Sequence, residues 1–164
     1  MTLQPFEQVL IDGGRRELLE FGSCKHCVVV DWRDDVENIL GDVKRMWPGG
    51  DLIYRRIDEQ TWELQCHGHS RRIVVPEGAE GEVLLRSVNR GLLPEYEMRI
   101  FTPTMGDGYS LLLRSSKWWA DFSSAYPSRS RKMFVTIDER VTVTGTDPLA
   151  RDHTVSWWRR LFGV

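Results

Sequence analysis

The sequence predicts an α+β fold, a single domain with a mostly antiparallel sheet and helices packed on one side of it. Alternating apolar residues over 52–75 form three short segments separated by tight turns, the pattern of antiparallel hairpins. Stretches with apolar residues at helical spacing stand before and after these segments. The 164 residues match the size of one domain, and no linker rich in Ser, Gly or Pro divides them.

Composition and charge exclude several classes of protein. With 41% hydrophobic and 28% charged residues, the chain is not of the disordered or low-complexity type. No apolar run approaches the ~20 residues of a membrane span, and the first residues lack the basic and apolar regions of a signal peptide. The net charge of −2 and pI of about 6.1 argue against a nucleic-acid partner. We therefore expect a soluble cytoplasmic protein.

The charge is unevenly distributed along the chain. Residues 1–82 hold 10 Lys and Arg against 16 Asp and Glu, a balance of −6. Residues 83–164 hold 12 against 8, a balance of +4, and the two balances sum to −2. Two interpretations stay open: the two halves form faces that meet within one fold, or they form patches offered to partners.

The N-terminal part of the chain predicts a broken helix followed by a strand. Apolar residues share a face over 5–21, but Gly13 and Gly14 predict an interruption, since two glycines cost a helix about 2 kcal/mol relative to alanines. The β-branched run within 27–32 predicts a short buried strand.

The segment 34–46 predicts an amphipathic helix. Asp34 is expected to open it, with Glu37 three residues later as its capping-box partner, and Pro48 lies beyond its end. One apolar stripe is formed by Val36, Ile39, Leu40, Val43, Met46 and Trp47.

The middle of the chain predicts strands joined by turns, with one helix between them. The predicted bounds are strands at 52–57, 62–66 and 71–75, a helix at 80–93, and strands at 96–100 and 109–113.

The last predicted elements are a helix and a hairpin. Ser115 or Ser116 is expected to cap a helix whose aromatic residues are Trp118, Trp119, Phe122 and Tyr126. Strands at 133–137 and 141–143 are expected to pair as a hairpin. The α+β domain is thus predicted to span residues 1–149, and residues 150–164 form a C-terminal amphipathic tail.

Cysteines and histidines supply one candidate metal set. Cys24 and Cys27 stand at Cys-x-x-Cys spacing, and His67 and His69 would share one face of a strand because side chains repeat every two residues. The same alternation would turn Cys66 toward the core. The spacing departs from that of zinc fingers, so we expect no stoichiometric zinc and no cofactor.

Three carboxylates, Asp31, Asp34 and Asp35, cluster where the first strand ends and a helix begins. Such a group suits Mg²⁺, but capping of the helix N-terminus explains two of the three without a metal. The sequence contains neither the G-x-S-x-G pattern of a serine nucleophile nor a glycine-rich phosphate loop. No catalytic residues are predicted.

The tail carries the most unusual composition of the chain. At helical spacing, Trp157, Trp158, Leu161 and Phe162 would form one stripe beside Arg159 and Arg160. Trp and Arg are enriched where protein partners anchor. Three alternatives stay open: the tail docks on its own domain, it forms a protein interface, or it lies on a membrane surface.

The sequence therefore predicts a small non-enzymatic cytoplasmic protein that acts through protein–protein binding, as an inhibitor, immunity or regulatory factor. The expected partner is another protein or a second copy of the chain, bound by Trp157, Trp158, Arg159, Arg160, Leu161 and Phe162. The alternative is a metal-dependent enzyme or zinc-binding module that uses Cys24, Cys27, His67 and His69.

Overall fold

Two antiparallel sheets are formed by the part of the chain that the structure describes. The computed structural model describes residues 4–23, 26–31, 34–79, 81–104 and 108–137. Its helices are α1 (Val9–Asp12), α2 (Arg15–Gly22), α3 (Val36–Met46), α4 (Gly81–Leu92), α5 (Ser116–Ala125) and α6 (Pro127–Met133). Its strands are β1 (Val28–Asp31), β2 (Ile53–Arg56), β3 (Thr61–Cys66), β4 (His69–Val74), β5 (Tyr96–Phe101), β6 (Gly108–Ser115) and β7 (Phe134–Thr136).

The strands divide into sheet A, in the order β1-β6-β5-β7, and sheet B, in the order β2-β3-β4. Every pairing among them is antiparallel, so the α+β class is confirmed. The division into two sheets differs from the single sheet that the sequence predicted. It arises because β1 pairs with the distant β6, while β2, β3 and β4 pair only with their neighbours in the chain.

Two hydrophobic cores lie on opposite faces of sheet A. Along β6, Leu111 and Leu113 belong to the first core, and Leu112, which points to the other face, belongs to the second. The first core packs sheet A against α3, α4 and sheet B. The second core packs it against α1, α2, α5 and α6. The described helices therefore cover both faces of sheet A, not one side as predicted, whereas described residues cover only one face of sheet B.

The predicted break in the first helix is confirmed. The helix α1 ends before Gly13, and α2 begins after Gly14, whose backbone N–H donates to Glu17 Oε2 at 2.7 Å. Helix α3 begins slightly later than predicted, because Asp35 rather than Asp34 accepts the capping hydrogen bond, from the backbone N–H of Asn38 at 2.8 Å.

The predicted core stripe of α3 is buried. Ile39, Leu40 and Val43 are at most 1% exposed. Helix α4 lies against sheet B at Gly91, where a Cβ atom would come within 2.5 Å of Ile73 Cγ1. These contacts hold the inner face of sheet B onto the first core.

The end of the described chain differs from the prediction. Ser115 caps α5 as expected, since its Oγ accepts from the backbone N–H of Trp118 at 3.1 Å. Helix α6 was not predicted, because its residues lack an apolar period and only Pro127 at its first position signals a helix. Strand β7 pairs with β5, while the strand predicted at 141–143 lies outside the described residues.

Candidate functional site

The residues predicted to bind a partner, Trp157, Trp158, Arg159, Arg160, Leu161 and Phe162, lie outside the described residues, as does the 1–149/150–164 boundary. Their assignment stays a prediction. The site is therefore sought on the described residues, which end at Ile137.

The structure does not bring Cys27 together with His67 and His69, three of the four candidate zinc ligands. Cys27 is buried in the second core, where its Sγ donates to the carbonyl oxygen of Phe21 at 3.7 Å. His67 and His69 lie at the turn between β3 and β4, beside the first core, and Cys24 lies outside the described residues. Within the described ranges, no group of three or more His, Cys, Asp or Glu side chains is arranged to hold a metal ion, Asp31, Asp34 and Asp35 included.

The strand geometry expected for His67 and His69 is wrong. Strand β3 ends at Cys66, His67 and Gly68 form the turn, and His69 begins β4. Both turn residues have positive φ angles, 50° and 76°, as a type I′ hairpin turn requires. The two-residue alternation therefore stops at Cys66, which is buried as predicted.

Asp51 fastens this turn to the end of α3. Its Oδ2 accepts from the backbone N–H of His67 at 2.7 Å and lies 3.1 Å from His67 Nδ1. Its Oδ1 accepts from Trp47 Nε1 at 2.9 Å. The backbone N–H of His67 is the main reason that the pKa of Asp51 lies below its ordinary value. The carboxylate thus links the β3–β4 turn to the end of α3 through two hydrogen bonds.

The Cys66 thiol and the Tyr96 hydroxyl lie close to the Asp51–His67 pair. Burial raises the pKa of the Cys66 thiol, and nearby Glu95 raises it further. Burial also raises the pKa of Tyr96, whose ring stacks with the His67 ring at 6.0 Å. A thiol with a raised pKa carries little thiolate near neutral pH. We call the contacts that Asp51 makes with His67 and Trp47 the Asp51 clamp.

The outer face of sheet B has no layer of described residues packed over it. Alternation along the strands places nine side chains there: Ile53, Arg55, Ile57, Thr61, Glu63, Gln65, Ser70, Arg72 and Val74. Ile53, Ile57 and Val74 are 57%, 47% and 62% exposed, which makes them three of the seven exposed large hydrophobic residues in the described chain. We call these nine residues the outer face.

A polar row crosses the centre of the outer face. Glu63 lies between Arg55 on β2 and Arg72 on β4 in the strand register. Arg55 Nε donates to Glu63 Oε2 at 2.6 Å, and Ser70 Oγ donates to Oε1 at 2.7 Å. These two hydrogen bonds, that from Ser70 first, lower the pKa of Glu63. The outer face therefore combines exposed aliphatic groups with an ordered charged row.

A groove of about 350 Å³ lies beside the inner face of sheet B, between the start of α3, the β2–β3 turn and the segment after β4. Buried residues at its floor are Val36, Trp62, Val75 and Leu84. Carboxylates at its rim are Asp35, Glu59 and Glu77. We call this feature the acidic groove.

One cation, Arg56, lines the acidic groove among the described residues. Its Nε and Nη2 donate to the carbonyl oxygens of Asp58 and Glu59 at 3.0 and 3.3 Å, so it is held by the turn. Neither Glu59 nor Glu77 forms an ion pair with another described residue. The groove therefore presents an apolar floor under a net negative rim.

Comparison with family models, curated proteins and solved structures finds no match to this chain. Within the described residues, no helix is long and apolar enough to cross a membrane. The fold and its surfaces define an α+β domain with one open sheet face and one acidic groove. Sequence reasoning missed both features, although the alternation over 53–57 already placed Ile53, Arg55 and Ile57 on one side.

Proposed function

We propose that this chain is a non-enzymatic cytoplasmic protein that acts by binding a protein partner, as an inhibitor, immunity or regulatory factor. The observation that carries the proposal is the outer face of sheet B. A three-stranded sheet that is buried on one face leaves the other available, and aliphatic residues gathered on an exposed face favour protein contact over solvation.

The charged row formed by Arg55, Glu63 and Arg72 favours specific binding over non-specific hydrophobic association. Arg55 is already bonded to Glu63, while Arg72 is exposed at the neighbouring position on β4. A partner that places a carboxylate opposite Arg72 and apolar groups opposite Ile57 and Val74 would match this surface. Such a partner is another protein or a second copy of the chain, and we propose no nucleic-acid ligand.

Residues 157–162 are proposed as a second contact to the partner, on the strength of their tryptophan and arginine content. The metal-dependent alternative has less support. Cys27 contributes to the second core, while His67 is held by Asp51 beside the first core.

The proposal is tested by photo-cross-linking in the cells that produce the protein. A photoreactive residue is placed at Ile53 or at Val74, and at Leu19 as the control. Leu19 is 40% exposed on α2, away from sheet B. We expect one discrete cross-linked product, to a distinct protein or to a second copy, from the first two positions and none from Leu19.

Surface substitutions distinguish cross-links that depend on specific binding from cross-links formed by random collision. Ile57→Lys and Val74→Lys together should abolish the product formed at Ile53, without moving the thermal midpoint, because both side chains are exposed. Leu19→Lys should leave that product unchanged. Equal cross-linking from all three positions, or none from Ile53 and Val74, would overturn the proposal.

A further inference from the structure

We infer that, while no partner is bound, residues 157–162 of this chain dock into the acidic groove of the same molecule. This contact is separate from the proposed partner surface, because the groove lies beside the inner face of sheet B and shares no residue with the outer face.

The acidic groove favours a ligand that carries apolar groups for its floor and cationic groups for its rim. Trp62, Val75 and Leu84 at its floor are 7%, 7% and 2% exposed, so they gain from an apolar side chain laid over them. Glu59 and Glu77 are exposed, and no described cation pairs with them. A peptide segment with large apolar side chains next to guanidinium groups fits both requirements.

Residues 157–162 read Trp-Trp-Arg-Arg-Leu-Phe, which supplies four large apolar side chains around two arginines. The charge distribution of the chain agrees with such a contact. Residues 1–82, which contain the three rim carboxylates, hold 10 Lys and Arg against 16 Asp and Glu, a balance of −6. Residues 83–164, which contain Arg159 and Arg160, hold 12 against 8, a balance of +4.

The segment is within reach of the groove. Twenty residue steps separate Ile137, where the described chain ends, from Trp157, and such a length extends to about 65 Å. A domain of this size has a radius of gyration of roughly 14 Å. Attachment to the same chain also gives the segment an effective concentration of the order of millimolar. Docking within one molecule is therefore favoured over docking between copies.

The test uses the full-length chain with a photoreactive residue in place of Trp158. We expect an intramolecular cross-link, at the mass of one chain, to residues 59–62 or 75–79. Its yield should fall about fivefold or more in Glu59→Arg/Glu77→Arg, because the rim changes from attraction to repulsion. Glu20→Arg/Asp121→Arg, which changes the same charge on α2 and α5, should keep the yield.

A second variant excludes misfolding of the groove as the cause. Arg159→Glu/Arg160→Glu leaves every described residue unchanged and should reduce the yield to a similar extent. Combined with Glu59→Arg/Glu77→Arg, it should restore the cross-link. A product only at the mass of two chains, a cross-link to other parts of the domain, no cross-link, or no restoration by the charge swap would each overturn the inference.

Discussion

Glu7 and Arg114, 107 residues apart in the chain, form a buried ion pair with 2.6 Å between Oε1 and Nε. The side chains are 2% and 15% exposed. The backbone N–H of Gln4 also donates to Glu7 at 2.8 Å, and the Arg114 guanidinium lies 5.6 Å from the centre of the Phe6 ring. This pair fastens the N-terminal segment to β6, at the edge of the second core.

Glu7→Ala should destabilise the protein strongly. Removing one partner of a buried pair leaves the other charge uncompensated, which typically costs ~3–5 kcal/mol. Chemical denaturation measures the loss. Glu20→Ala is the matched control, because it removes an ion pair with Arg16 whose side chains are 67% and 92% exposed, and it should cost well under 1 kcal/mol. Equal losses in the two variants would contradict the role assigned to the buried pair.

The stripe of α3 supplies a second prediction. Ile39→Ala and Leu40→Ala should each lower the free energy of unfolding by about 2–5 kcal/mol, the usual range for buried large-to-small changes. Both residues are at most 1% exposed, whereas Asn38 on the same helix is exposed. Asn38→Ala therefore serves as the control in thermal melts. If both core variants melt at the wild-type midpoint, α3 is not packed as described.

Acid should weaken the clamp formed by Asp51. The pKa of Asp51 in the folded state is lowered, chiefly by the backbone N–H of His67. The stability that ionised Asp51 contributes is therefore fully present above its unfolded pKa of about 4, and it is lost as the pH falls through the folded pKa. Asp51→Asn should therefore be less stable than wild type at pH 7, and the difference should shrink toward pH 3. Denaturant titrations at both pH values measure it. A difference that is independent of pH would show that ionisation of Asp51 contributes nothing.

We predict that the purified protein contains no stoichiometric zinc. The reason is that Cys27 lies in the second core, while His67 and His69 stand at the β3–β4 turn. Elemental analysis after purification without chelators checks this directly. About one zinc per chain, lost on replacing Cys24 and Cys27, would reverse the conclusion and favour the metal-dependent alternative.

Deletion of residues 150–164 should leave a cooperatively folded domain. The described residues that form the two cores end at Ile137, which itself belongs to the first core. Removing the tail should weaken partner capture or self-association more than folding, because its side chains are predicted to bind rather than to fill these cores. Thermal melts beside sedimentation of the full-length and shortened chains measure both effects. Loss of a cooperative transition would show that the tail is part of the core.

The local elements could be predicted from the sequence because their signals are local. Gly13 and Gly14 interrupt a helix through backbone entropy, and Ser115 caps α5 through one hydrogen bond three residues along. The apolar periods of α3 and of β3 identify buried faces without knowledge of their partners. The α+β class follows from the order of such elements.

The sites required the tertiary structure, because they depend on which segments meet. Alternation through Cys66 suggested that His67 and His69 share a face, but the turn with positive φ at His67 separates them. The acidic groove joins residues from three separate segments, such as Asp35, Glu59 and Glu77, and no local spacing signals that assembly. The sequence by itself determined the helices other than α6, the β2–β3, β3–β4 and β5–β6 hairpins, and the residues that need burial. Only the tertiary structure decided how the strands divide into two sheets and which face of sheet B the described residues leave uncovered, because long-range pairing depends on the packing of the whole chain.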